Sequence, residues 1–148
     1  MTVGEVCNRE VVIVQRNEAL IAAAKLMRQY HVGDVVVVEE QEGKRIPVGI
    51  LTDRDLVVKV LARELDPRHL TVAEVMSAGV ETAGEAEEVF PTAERMRALG
   101  IRRMPVVDSA GGLVGIITLD DLIDLLAEEL RLLAAVAARQ QRREVHQA

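Results

Sequence analysis

The chain has 148 residues, a length that allows one domain or two small units sharing a core and excludes a large multidomain enzyme. Hydrophobic residues make up 49% and charged residues 28%, a globular composition too apolar for a disordered tail. The net charge of −6 and an aromatic content of 1%, only Tyr30 and Phe90, argue against direct nucleic-acid binding, which needs a basic footprint and stacking platforms. The lone Cys7 cannot form an internal disulfide, and Met1 to Asn8 lack the features of a secretory signal, so a reducing cytoplasm is expected. Metal-ligand spacing is absent, with His31, His69 and His146 far apart.

The chain repeats itself. Val3-Gly-Glu-Val6 returns 69 residues later as Val72-Ala-Glu-Val75, and the same offset lays Lys25-Leu-Met-Arg28 on Glu94-Arg-Met-Arg97 and Val37-Val38 on Val106-Val107. After a loop three residues longer in the first copy the offset becomes 66, matching Val48-Gly-Ile-Leu-Thr52 to Val114-Gly-Ile-Ile-Thr118. The implied division is a first repeat over residues 1–66, a second over 67–128 and a helical extension over 129–148.

In chain order, the β-branched run Val11 to Val14 predicts a strand. Asn17-Glu18 then opens a helix with Leu20, Ala23, Ala24 and Met27 on one stripe. Val35 to Val38 and Val48 to Leu51 predict two buried strands separated by a polar loop, Glu39 to Arg45. Thr52 opens a second helix with Leu56, Val57, Val60 and Leu61 on one face, and Asp66 to His69 read as the linker. Each copy is thus strand, helix, strand, strand, helix. Two copies related by a pseudo-two-fold axis can pack sheet on sheet with helices outside, an α+β fold. In the second copy Pro91 aligns with Ala22, so that helix is expected to start late or bend unless the proline lies in its first turn.

Beyond the repeat, Leu122, Leu126, Leu130, Leu133 and Val136 or Ala137 continue an apolar stripe, with Arg139, Arg142 and Arg143 at the end. The stripe admits three readings: a helix covering its own domain, a helix pairing with a second subunit, or one lying on a membrane surface.

The most informative elements are Gly49-Ile-Leu-Thr52-Asp-Arg-Asp55 and Gly115-Ile-Ile-Thr118-Leu-Asp-Asp121. A threonine at a strand end with an acid three residues on is also a capping box, sufficient to explain either copy alone. Taken with the Val-rich strands and the repeat, they resemble a tandem of cystathionine-β-synthase (CBS) domains, a Bateman module, of the small stand-alone kind typified by hypoxic response proteins. The resemblance implies a regulatory, non-enzymatic module binding AMP, ADP, ATP or S-adenosylmethionine in clefts between the repeats, with no catalytic cofactor. It implies that Asp55 and Asp121 hold ribose hydroxyls and that Thr52 and Thr118 lie near phosphates. The early strand of the opposite repeat would line the adenine: Val80 to Thr82 in the Asp55 cleft, Val12 to Val14 with Ile13 in the Asp121 cleft.

The copies differ where Thr82 faces Ile13 and where Arg102 and Arg103 align with Gly33 and Asp34. Two arginines can clamp phosphate, whereas Asp34 would repel it; Arg54 adds a cation beside Asp55. These features favour the Asp55 cleft for a nucleotide, although Arg102 and Arg103 also suit a solvated turn and Asp34 a turn. His31 suits a helix end, and Cys7, aligned with Met76, suits small apolar packing. The alternative to ligand binding is a structural homodimerisation module with vestigial clefts, and a homodimer is expected in either case. An enzyme is disfavoured because no nucleophile–base pair or phosphate-cradling Gly-rich loop is evident.

Overall fold

Short elements at the start of each repeat leave its core incomplete, and the chain solves this by exchange. In the computed structural model, which describes residues 1–147, α1 (Val3–Val6) is followed by a two-residue strand β1 (Ile13–Val14) and by α2 (Leu20–Tyr30). The antiparallel pair β2 (Asp34–Gln41) and β3 (Lys44–Thr52) comes next, then a single turn α3 (Asp53–Asp55). The second copy repeats the order as α4 (Val72–Val75), β4 (Ser77–Ala78), β5 (Ala83–Gly84), α5 (Val89–Leu99), β6 (Arg103–Val107), β7 (Leu113–Thr118) and α6 (Leu119–Gln147).

Four local expectations change, three of them in the strands and in α5. The run Val11 to Val14 forms ladder only at Ile13 and Val14, parallel to Val36 and Val37. The expected loop Glu39 to Arg45 is mostly hairpin: Glu39 pairs with Ile46 and Gln41 with Lys44, leaving Glu42 and Gly43 as a two-residue turn. Both turn residues have positive φ, 51° and 77°, the left-handed pair that matches strand twist. Pro91 does not delay its helix, because α5 starts at Val89, aligned with Leu20, and the proline falls in the first turn, where its missing N–H has no intrahelical partner to lose.

After α3 the chain widens into a π-helical turn, Leu56–Val60, then a 3-10 turn, Leu61–Arg63. A wider turn changes the angular step between residues. Val60 is therefore buried while Val57 and Leu61, expected on the same inward face, are exposed.

β4 pairs with β3 through Gly49–Ala78 and Ile50–Ser77, giving one sheet the order β1-β2-β3-β4. The matching segment of the first copy crosses the other way, where Asn8 pairs with Ile116 of the β5-β6-β7 sheet. The apolar helices follow. Val72 and Val75 complete the core built on Leu20, Val35, Val37 and Leu51, while Val3 completes the one built on Val89, Met104, Val106 and Ile117. Val36, Val38 and Ile116 fill the layer between the sheets.

α6 buries Leu122 and then leaves the body. Leu126, Leu130, Leu133 and Val136 are 46%, 66%, 65% and 61% exposed, so the helix does not cover its own domain. None of the described helices is long and apolar enough to cross a membrane.

Candidate ligand-binding clefts

Both T-x-x-D elements sit where a buried strand turns into a helix. The Thr52 amide donates to Asp55 Oδ2 at 2.9 Å, and the Asp55 amide donates to Thr52 Oγ1 at 3.1 Å. In the second copy the Thr118 amide reaches Asp121 Oδ2 at 3.1 Å, its hydroxyl donates to the same oxygen at 2.7 Å, and the Asp121 amide returns a bond at 3.1 Å. The capping box is therefore real in both copies. It occupies one oxygen of each carboxylate and fixes its direction, leaving Oδ1 for another partner. Asp55 Oδ1 has one: Lys59 Nζ lies 3.0 Å away and also donates to the Val75 carbonyl at 3.0 Å. Lys59 aligns with Leu125, so Asp121 has no such cation, and its Oδ1 accepts no hydrogen bond among the described residues.

The glycines that open the two elements let the exchanged segments through. A Cβ on Gly49 would stand 2.8 Å from both the Met76 sulfur and the Ser77 carbonyl; one on Gly115 would stand 2.7 Å from Cys7 Sγ and 2.8 Å from the Asn8 carbonyl. Close passage brings the start of each repeat alongside the motif of the other. Val80 and Thr82, both half-buried, continue from the segment paired with β3. Ile13 continues from the one paired with Ile116, two residues before Thr118. Burial pushes the Cys7 thiol up from its ordinary range, with the nearby Asp121 charge contributing and Arg9 opposing. This suits a packing role for Cys7.

Along the segment whose Asn8 pairs with Ile116 lies a cavity of about 610 Å³ lined by Asn8, Glu10, Val11, Val12, Ile13, Leu26, Tyr30 and Val32; Thr118 and Asp121 are not among its lining residues. Its walls are mostly apolar and its only charge is acidic. On the Asp55 side the position of Leu26 is taken by Arg95, whose Nη2 donates to the Thr82 carbonyl and whose Nη1 lies 2.6 Å from Glu87 Oε2. The guanidinium is tied to the early strand and helix start of its own repeat, at the position where the first copy carries an uncharged side chain. The repeat match of Leu26 with Arg95 already carries this difference, an apolar side chain in one copy and a cation in the other.

Comparison with known proteins bears on this arrangement. The CBS-domain family model matches residues 3–62 and again 72–128. The chain belongs to the CBS-domain family. An uncharacterized protein of Methanopyrus kandleri is 38% identical over 84% of this CBS pair, which spans 62% of that relative's length. Hypoxic response protein 1 of Mycobacterium tuberculosis is 32% identical, with 86% of each chain covered. Among solved structures, the CBS domain pair of protein MJ0100, in complex with 5′-methylthioadenosine and S-adenosyl-L-methionine, superposes with a TM-score of 0.75 at 29% identity, covering 87% of this chain and 98% of that one.

The arginines expected to clamp phosphate are otherwise engaged in this CBS pair. Arg103 Nη1 lies 2.8 Å from Asp34 Oδ2 with both side chains largely buried, and Arg102 meets Asp120 at 3.4 Å on the surface. Asp34 and Arg103 were expected to set the clefts apart; they neutralise each other instead. Burial pushes the Asp34 carboxyl above the usual carboxylate range, Arg103 pulls it back and Asp53 adds repulsion. Arg54 is exposed and forms no ion pair among the described residues. Within the described residues no group of acidic, histidine or cysteine side chains is placed to hold a metal ion.

Proposed function

We propose that this CBS pair is a non-enzymatic, cytoplasmic regulatory module that takes an adenosyl ligand without a phosphate chain, of the 5′-methylthioadenosine or S-adenosylmethionine class, in the Asp121 cleft. Two observations support the reading: the mostly apolar cavity at Val11 to Ile13, Leu26 and Tyr30, which opens along the segment whose Asn8 pairs with Ile116, and the Oδ1 of Asp121, which accepts no hydrogen bond among the described residues. A purine fits apolar walls, and a vicinal diol can donate to Asp121 Oδ1. Glu10 favours a sulfonium over a phosphate, and Arg102 and Arg103 have acidic partners that a phosphate would have to displace. The ligand class is the one found in the MJ0100 pair. AMP, ADP and ATP are the weaker candidates here.

Thermal unfolding with 5′-methylthioadenosine, S-adenosylmethionine, AMP and ATP tests this. A ligand bound only by the folded state stabilises it by about 2.7 kcal/mol at a hundredfold excess over Kd. The first two are expected to raise the melting temperature and the last two to act weakly. If none shifts it, the structural module with unused clefts becomes the better reading.

That second reading has support of its own, since Val57, Leu61, Ile123 and Leu126 are exposed apolar side chains on the helical faces. They support self-association as a homodimer whether or not the clefts are used.

A further inference from the structure

We infer that the distal part of α6 pairs with the same helix of a second copy in the antiparallel sense, an inference that rests on the self-association proposed above. Past Leu125 the helix has no tertiary support, being exposed at every described residue to Gln147. Helices in proteins owe most of their stability to a packed apolar face, and in the single chain this stretch packs against nothing. Its exposed leucines also have a specific spacing: Ile123, Leu126, Leu130, Leu133 and Ala137 follow one another at steps of three, four, three and four, the heptad seam of a two-helix pair. Ala127 and Ala134 flank the seam and let two backbones approach.

Charge decides the direction. Between Asp120 and Glu129 the ionised residues are all acidic, namely Asp120, Asp121, Asp124, Glu128 and Glu129. From Arg131 to Arg143 they are all basic: Arg131, Arg139, Arg142 and Arg143. A parallel partner would lay acid on acid and base on base. An antiparallel partner lays each acidic half along a basic half, and it is isologous, as a two-fold dimer requires. The register that sets Leu130 against Leu133 of the second copy also sets Leu126 against Ala137, Ile123 against Gln140, and brings Asp124 level with Arg139.

The test uses the full chain with Cys7→Ser and one cysteine introduced per variant. An equal mixture of Ile123→Cys and Gln140→Cys should give a heterodisulfide under mild oxidation, while Ile123→Cys alone should give none. Self-linking of Ile123→Cys overturns the antiparallel sense. Light scattering on dilution should return a dimer mass for the parent and a mass shifted towards the monomer for Leu130→Glu/Leu133→Glu, because the distal helix no longer adds to the apolar faces that remain. Those two side chains are exposed in the single chain, so its thermal unfolding should retain one cooperative transition. A dimer unmoved by the double substitution overturns the helix pairing and spares self-association through another face. A parent that is monomeric overturns both, and one that is monomeric yet floats with anionic vesicles assigns the stripe to a membrane surface.

Discussion

Asp34 and Arg103 hold the same position in the two repeats, 69 residues apart, and they meet each other. Equivalent residues lie opposite one another only at the pseudo-two-fold axis, so this ion pair marks the axis itself. Like charges there would repel; the divergence of the two copies has placed opposite ones.

Because the two positions are equivalent, the pair should tolerate exchange. Asp34→Arg or Arg103→Asp alone puts two like charges together in a largely buried site and should cost about 1–3 kcal/mol, between the exposed and buried limits. The double exchange should recover all but about 1 kcal/mol. Urea unfolding of the three variants decides; no recovery in the double variant would mean the surroundings, not the pair, set the preference.

The same carboxyl gives a pH signature. With its folded pKa raised above the unfolded value of 3.8, Asp34 binds a proton more readily in the folded state, so its contribution to stability is present below pH 3.8 and is lost as pH rises through the folded value. Arg103→Gln removes the one attraction that lowers it and should move the titration higher still. Carboxyl chemical shifts of Asp34 followed through the acidic range check both statements, and a downward move in the variant contradicts them.

Gly49→Ala and Gly115→Ala should loosen the exchanged segments. Each new methyl meets a backbone carbonyl at 2.8 Å, which cannot rotate aside as a side chain can. Overpacking of this kind costs about 1–3 kcal/mol. Hydrogen exchange should report it locally: in Gly115→Ala the Asn8 amide, which donates to Ile116 at 2.9 Å, should lose protection before the hairpin strands do.

Binding should follow the open cleft. Asp121→Asn should weaken 5′-methylthioadenosine about ten- to a hundredfold, the worth of a hydrogen bond to a charged acceptor, and Leu26→Arg should block the cavity by copying Arg95. Asp55→Asn should do little. Calorimetry in which Asp55→Asn costs more than Asp121→Asn would restore the ranking that Thr82, Arg54 and the arginine pair suggest from sequence.

The elements were legible where periodicity is local. The β-branched runs and the helical stripes of Leu20, Ala23 and Met27 announce themselves within a few residues, and the repeat supplies the pairing of copies. What could not be read is what depends on distance across the fold. A four-residue helix such as α1 carries no period, so nothing local says that Val3 belongs to the far core. The T-x-x-D spacing is legible, and so is the i,i+4 spacing that lets Lys59 engage Asp55; what periodicity does not anticipate is the π-helical turn that buries Val60 and leaves Val57 and Leu61 exposed. Charges compared only by alignment, as with Asp34 and Arg103, look like a difference between sites until the axis brings them together.

The crossing of α1 has a consequence for synthesis. Val3 and Asn8 leave the ribosome early, yet their partners Ile117 and Ile116 emerge roughly 5 to 20 seconds later at ordinary elongation rates. Nor can the first repeat close alone, because Val72 and Val75 are still to come. A nascent chain stopped after the first repeat therefore exposes an unfilled core instead of presenting half of the finished molecule, and premature termination there should yield a substrate for proteolysis.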